Sequence, residues 1–373
     1  MSHPTIAFCG GGSGGHVSPA IAIIEQLQQQ CPNVHTPVFC SNRSIDRQIL
    51  SDAGVDLPTL SWQETVRIPR GAFPKRHLLG MLELFRSRLR MLSVLSQLQP
   101  AVVVGLGAFA SIPGVLAACR LQIPTVLLEA NSVPGRATRF LAARADCIFT
   151  GMAMSVMQQS KLGSHAEQMG VPVRAAIAAL ARAECLWQSD RRVLLIIGGS
   201  QGATRLNRLV EQAFSDGCPL PADWTILHQT GVHDVARLRA FYAAQSLPAQ
   251  VVEYLQDLPE RLPKIGLAVS RAGAVTLAEL ACAGVPSILV PLSTAASGHQ
   301  QKNAVVFAEA GAAELVDETA SSAAGAVRLR GLLQEFSRSE MRQRQMSQAA
   351  RGLARPDAAG AIASRLLRMA GRG

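Results

Sequence analysis

The sequence predicts an α/β chain of two domains, each built on a parallel sheet covered by helices, and three observations carry this. The chain has 373 residues, too many for one ordinary α/β domain and enough for two. Its apolar runs are short, strand-length blocks such as Val102-Val103-Val104 and Val193-Leu194-Leu195-Ile196-Ile197, set between helical patterns in β-α-β order. A glycine-crowded turn from strand to helix occurs at Gly10 to Gly15 and again at Gly198 to Ala203, so the second half restarts the layout of the first. We therefore expect two Rossmann-like domains with a ligand between them. Residues 1–170 would form the first, completed by 350–373, and residues 171–349 the second.

Composition narrows the function. A net charge of +10 and a pI near 9.7 point to an anionic partner. With only 4% aromatic residues, and no stretch that interleaves them with basic ones, no nucleic acid is expected. No apolar run approaches the roughly 20 residues of a membrane helix, and Gly10 interrupts any signal-like start, so the protein is expected on the cytoplasmic side. The eight cysteines are scattered singly and read as reduced thiols.

Thr5 to Cys9 is a buried strand and Ala20 to Leu27 a helix, so the first glycines fall at a helix N-terminus. Unpaired N–H groups and the helix dipole favour an anion there. His16 is the ionisable side chain of this loop. The dipole disfavours imidazolium and leaves a neutral ring able to take a proton, with simple capping of the helix as the other reading. Gly10, Gly12 and Gly15 satisfy G-x-G-x-x-G, but the next strand, Val34 to Cys40, leads into Cys40-Ser41-Asn42-Arg43 without the acid that a dinucleotide ribose needs. A helix is expected over Ser44 to Ala53. Arg67 to Leu92 then mixes Arg86, Arg88 and other basic residues with Leu78, Leu79, Leu82 and Phe85. Such a helix either lies on an anionic bilayer or is a core helix with a basic face. Strand Ala101 to Val104 leads to a loop over Gly105 to Gly114. Strand Thr125 to Leu128 leads to Glu129, an acid at a strand tip where open parallel sheets hold ligands. An ion pair or helix N-cap partner is the alternative for Glu129. Cys147 to Thr150 closes the half.

In the second half, strand Val193 to Ile197 and helix Thr204 to Phe214 flank the glycine loop, and Val251 to Leu255, Leu267 to Ser270 and Ser287 to Pro291 read as further strands. After Ser270-Arg271-Ala272-Gly273 a helix opens whose N–H groups suit a diphosphate. Glu279, one turn beyond Thr276, could accept two hydrogen bonds from a ribose diol. Gly298 to Asn303 adds polar side chains, and Arg338 to Gly373 is helical in pattern.

Gly11-Gly12-Ser13-Gly14-Gly15-His16-Val17, Leu128 to Gly135, Gly198 to Ala203, His228-Gln229-Thr230-Gly231 and Arg271 to Glu279, in this order, resemble the MurG family of peptidoglycan N-acetylglucosaminyltransferases, of GT-B fold. The resemblance runs from about residue 5 to about residue 320. It implies inverting transfer of N-acetylglucosamine from UDP-GlcNAc to the 4-hydroxyl of the muramoyl sugar of undecaprenyl-diphosphate-linked lipid I, giving lipid II, without cofactor or metal. It also implies a donor site of Ser13, Gly14, Gly15, Asn131, Arg174, Ser200, the Leu255 backbone, Ala274, Val275, Thr276, Leu277, Ala278, Glu279 and Gln300. Glu279 would hold the ribose, and His16 would be the general base with Glu129 its competitor. The Arg67 to Leu92 segment falls at the family's membrane-contact surface, which implies a peripheral protein on the cytoplasmic face of the inner membrane. Phe109, Ala130, Thr138 and Val171 depart from the family's pattern, three of them in the half assigned to the acceptor. Another UDP-sugar enzyme of this fold, either a lipid glycosyltransferase with a different acceptor or a UDP-GlcNAc 2-epimerase, is the alternative. A silent nucleotide-sugar-binding protein is a third reading, opposed by the presence of His16, Glu129 and Glu279.

Overall fold

The computed structural model describes residues 3–11, 14–40, 74–183, 191–199, 202–293, 298–318 and 322–371. It holds two sheets of six parallel strands each. Contacts divide the chain into two compact units, Met1–Ala175 with Asp357–Gly373, and Ala176–Pro356. The helix expected over Ser44 to Ala53 lies outside the described residues.

The first unit carries β1 (Ile6–Cys9), β2 (Val38–Phe39), β3 (Val102–Gly105), β4 (Thr125–Glu129), β5 (Cys147–Thr150) and β6 (Ala166–Gln168), in the order β2-β1-β3-β4-β5-β6. β1 to β5 are buried along their whole length because helices cover both faces. On one face Ile6, Phe8, Val104 and Val126 pack against Val17, Ile21 and Ile24 of helix Gly14–Gln30, and against Ile362 and Leu366 of helix Ala358–Ala370. On the other, Ala7, Cys9 and Val103 meet Met91, Leu95 and Ala117. The strand expected over Val34 to Cys40 is shorter, because Pro37 has no N–H for the ladder; only a bridge between Thr5 and His35 precedes it. β5 is not the last strand of the unit. β6 follows it as a partly exposed edge whose sequence, Ala-Glu-Gln, has no apolar alternation to betray it.

The second unit carries β7 (Val193–Ile197), β8 (Thr225–Gln229), β9 (Ala249–Val252), β10 (Ile265–Ser270), β11 (Ser287–Leu289) and β12 (Ala313–Leu315), in the order β12-β11-β10-β7-β8-β9. Its core gathers Leu194, Ile196, Leu209, Phe214, Trp224, Tyr242, Leu267, Leu333 and Phe336. Helix Glu340–Leu353 belongs here, held where Ser347 Oγ donates to the Gly284 carbonyl at 2.6 Å. The return to the first unit therefore begins at Asp357 rather than at residue 350. There Ser364 Oγ lies 2.8 Å from Gln30 Oε1.

Both sheets change winding direction once. β1 pairs β2 on one side and β3 on the other, and β7 pairs β8 and β10. The carboxyl ends at such a switch point leave a crevice where ligands bind in open α/β sheets. The two glycine loops follow β1 and β7, one at each crevice.

Candidate active site

At the first crevice the loop after β1 crosses the tip of β3. Gly10 and Gly11 have φ of +147° and +143°, open to glycine and not to other residues. A Cβ added at Gly10 would stand 2.7 Å from Leu106 Cβ. The chain then enters helix Gly14–Gln30, so Gly14, Gly15 and His16 form its first turn. His16 is half-buried, and its ring rests on the loop after β3: a Cβ added at Gly107 would meet His16 Cδ2 at 3.3 Å and Nε2 at 3.7 Å. That loop was expected to run to Gly114. It is shorter, since a 3₁₀ turn at Phe109–Ser111 passes into helix Ile112–Arg120 with Pro113 in its first turn, where the missing N–H costs nothing.

Glu129 ends β4 and is buried. Its Oε1 accepts from the Asn131 backbone at 3.1 Å and Asn131 Nδ2 at 3.0 Å, and its Oε2 accepts from the Gly135 N–H at 2.8 Å and Thr138 Oγ1 at 2.7 Å. An ionised carboxylate has about four acceptor sites, so these bonds occupy it. The geometry is that of the N-cap partner for helix Arg136–Leu141, with Asn131 drawn inward by the same group. Thr138, one of the four departures, supplies a hydroxyl donor. Val171, another, is buried and lies in this unit, where its Cγ2 would meet a Cβ at Gly151 at 2.5 Å. Arg174 is half-buried at the unit's end, beside Ala175, whose N–H donates to Glu25 Oε2 at 3.2 Å. Ser13 lies outside the described residues.

At the second crevice, β10 passes through Arg271-Ala272-Gly273 into helix Ala274–Ala283, with Gly273 extended at its N-cap and Gly284 left-handed at its end. Ala274, Leu277, Leu280 and Ala281 face the core, which leaves Val275, Thr276, Ala278 and Glu279 half-buried on the outer face. Asn303, fully buried, donates to the Ala272 carbonyl at 3.2 Å and so braces the turn before the helix. Arg271 runs beneath it, Nη1 donating to the Val290 carbonyl at 2.8 Å and pairing with Glu318 Oε2 at 2.6 Å, both side chains buried. Glu318 Oε1 in turn accepts from the backbone and hydroxyl of Ser293, each at 2.9 Å. Gln300 lies in the first turn of helix His299–Glu309, and its Oε1 accepts from Leu292 N at 2.9 Å, which fixes the orientation of its amide. Leu255 is buried and anchors the segment after β9. Ser200 lies outside the described residues. The predicted site thus falls into two groups, with Gly14 to His16, Glu129, Asn131 and Arg174 in the first unit and Leu255, Ala274 to Glu279 and Gln300 in the second.

On helix Pro74–Leu98 the described side chains form a packed face and an exposed one. Leu84, Met91 and Leu95 pack inward, whereas Leu82, Phe85 and Leu89 are 44%, 55% and 49% exposed at helical spacing, with Arg86 and Arg90 exposed around them and Arg88 partly covered. Leu78 and Leu79 belong to the same helix, but their side chains fall outside the described residues. Sequence reading missed a second exposed aromatic, Phe140, with Arg144 stacked 5.3 Å over its ring. No helix among the described residues is long and apolar enough to cross a membrane.

Residues 6–150 match the glycosyltransferase family 28 N-terminal domain, and residues 193–362 its C-terminal domain. A protein of Thiobacillus denitrificans named UDP-N-acetylglucosamine--N-acetylmuramyl-(pentapeptide) pyrophosphoryl-undecaprenol N-acetylglucosamine transferase is 36% identical over 364 residues, 96% of each chain. The chain belongs to this MurG family of glycosyltransferases. A relative of the same name from Rhodospirillum rubrum is also 36% identical, over 95% of this chain and 89% of its own. The crystal structure of Acinetobacter baumannii MurG superposes with a TM-score of 0.72 at 26% identity, covering 98% of this chain and 99% of that one. A UDP-GlcNAc 2-epimerase from Neisseria meningitidis shares the fold alone, with a TM-score of 0.65 at 15% identity over 98% of this chain and all of the other. Within the MurG frame, sequence reading named Asn303 only as one of the polar residues from Gly298 to Asn303, not as a brace, and passed over Glu318. Their partners, Ala272 and Arg271, lie far away along the chain.

Proposed function

We propose that the chain transfers N-acetylglucosamine from UDP-GlcNAc to the 4-hydroxyl of the muramoyl sugar of undecaprenyl-diphosphate-linked lipid I, with inversion, to give lipid II. The observation that carries this is the 36% identity to a MurG relative over 96% of the chain. Helix Ala274–Ala283 presents its N-terminal N–H groups to the diphosphate, and Glu279 accepts from the ribose diol. Leu255 offers its backbone to the base, and Gln300 its amide nitrogen. Ser13, Gly14, Gly15, Asn131, Arg174 and Ser200 complete the donor set in this reading. His16 takes the proton of the acceptor hydroxyl as that oxygen attacks the anomeric carbon. The bond from that carbon to the diphosphate breaks, UDP departs with the electron pair, and the helix N-terminus stabilises its charge. Glu129 acts as a positioning residue, because its four accepted hydrogen bonds leave no lone pair for the acceptor's proton.

Purified protein incubated with radiolabelled UDP-GlcNAc should move label into the lipid phase only when lipid I is present. Absence of transfer despite UDP binding would refute the reading, and conversion of UDP-GlcNAc without acceptor would favour an epimerase.

The same proposal sets the protein on the cytoplasmic face of the inner membrane, with Leu82, Phe85 and Leu89 entering an anionic lipid surface and Arg86, Arg88 and Arg144 meeting headgroups. Vesicles containing anionic lipid should float the unmodified protein. The variant with Leu82, Phe85 and Leu89 all changed to serine should stay behind, and equal flotation of the two would disprove this surface.

A further inference from the structure

His228-Gln229-Thr230-Gly231 takes no part in the proposed chemistry, yet it ends β8 between the loops on which donor binding relies. Gln229 is 1% exposed, and its amide nitrogen donates to two carbonyls, Gly199 O at 3.0 Å and Glu253 O at 3.1 Å. Gly199 belongs to the glycine loop after β7, and Glu253 begins the Glu253-Tyr254-Leu255 segment after β9. One neutral side chain therefore ties the two loops together. Glutamine suits the task, since a carboxylate has no proton to give and a lysine would bury an uncompensated charge. Its Oε1 is buried without a hydrogen-bond partner among the described residues. Native proteins leave few such groups, and here the orientation that leaves it unpaired is the one that serves both carbonyls.

The support beneath Gln229 is also fixed. His228 is fully buried, with Nδ1 2.9 Å from Tyr242 OH and Nε2 3.1 Å from Asn207 Oδ1. Asn207 Nδ2 already donates to the Thr230 carbonyl at 3.0 Å and Asp234 Oδ2 at 2.8 Å. Its oxygen must then accept from His228 Nε2–H, and His228 Nδ1 accepts from the tyrosine. Burial pushes the imidazole down to about 3, so the ring stays neutral. Gly202 presses on the same motif, where an added Cβ would meet the Thr230 carbonyl at 2.3 Å.

We propose that Gln229 is a positioning residue, making no ligand contact, that sets the spacing between the glycine loop and the Glu253-Tyr254-Leu255 segment so that both ends of a nucleoside diphosphate bind at once. This rests on the donor site proposed above. Calorimetry on the unmodified chain, Gln229→Glu and Gln229→Met would compare UDP with uridine, alongside steady-state transfer. The variants should bind uridine within about threefold of the unmodified protein but lose about tenfold or more in UDP affinity, as two hydrogen bonds are lost. KM for UDP-GlcNAc should rise in step while kcat at saturation stays within about threefold. Equal losses for uridine and UDP, or unchanged UDP affinity, would overturn the proposal while leaving the donor site standing. Failure of the unmodified protein to bind UDP would remove the donor site itself and this inference with it. Should both variants fail to fold, nuclear magnetic resonance on the unmodified protein decides: the Gln229 side-chain amide protons should exchange slowly without ligand, and fast exchange would refute the tie.

Discussion

His16→Ala should lower kcat about 10²–10⁴-fold, the range for loss of a positioned general base, while KM for UDP-GlcNAc moves little. The imidazole stands in the first turn of helix Gly14–Gln30 against Gly107, at the crevice between β1 and β3. Gly107→Ala should reproduce part of the loss with the histidine still present, because the new Cβ would displace the ring from a backbone whose φ of +81° already favours glycine. Glu279→Ala should split the other way, raising KM roughly 10- to 100-fold through lost ribose hydrogen bonds and leaving kcat near normal. Steady-state transfer to lipid I measures all three. Near-normal turnover by His16→Ala would refute its role as the base.

Glu318→Ala should cost about 3–5 kcal/mol of the second unit's stability, measured by urea unfolding, because it leaves the Arg271 guanidinium buried and unpaired. Changing both partners together, Arg271→Met with Glu318→Leu, should recover most of that loss, since an apolar pair removes the buried charge as well as its partner. A double variant no more stable than the single one would refute this account. The pair also has an acid signature. Burial tends to raise the Glu318 carboxyl, but the Ser293 N–H, the Arg271 guanidinium and the Ser293 hydroxyl outweigh it and hold the group below its ordinary value of 4.5. A carboxylate depressed in the folded state contributes stability above its unfolded value and loses it as pH falls through the folded one. The unmodified protein should therefore lose stability below about pH 4.5 by a step that Glu318→Ala lacks.

The β-α order, the parallel sheets and the repetition of a glycine loop after β1 and β7 were legible because each rests on local pattern: apolar blocks of strand length, helical spacing, and glycines where a chain must turn tightly. Helix Thr204–Phe214 was legible to the residue for the same reason, its buried Leu206, Leu209, Val210 and Ala213 recurring at helical intervals. β6, β8 and β12 were not, β6 and β12 because three residues are too few to show a period, and β8 because its apolar Ile226 and Leu227 run straight into the polar His228 and Gln229.

Side-chain partnership was decided only by the tertiary structure. The acid at the tip of β4 was visible in sequence, but its four donors come from a loop and a helix that fold back over it. Helix Pro74–Leu98 was visibly amphipathic, but only packing separates inward Met91 and Leu95 from outward Leu82, Phe85 and Leu89. Gln229 reaches both Gly199 and Glu253 because β8 lies between β7 and β9 in the sheet, and Glu318 reaches Arg271 because β12 ends two strands from β10. Sequence alone determined where most of the strands and the glycine loops after β1 and β7 fall, since periodicity and turn chemistry are local. Which atoms those loops bring within hydrogen-bonding distance depends on strand order, and only the tertiary structure decides that.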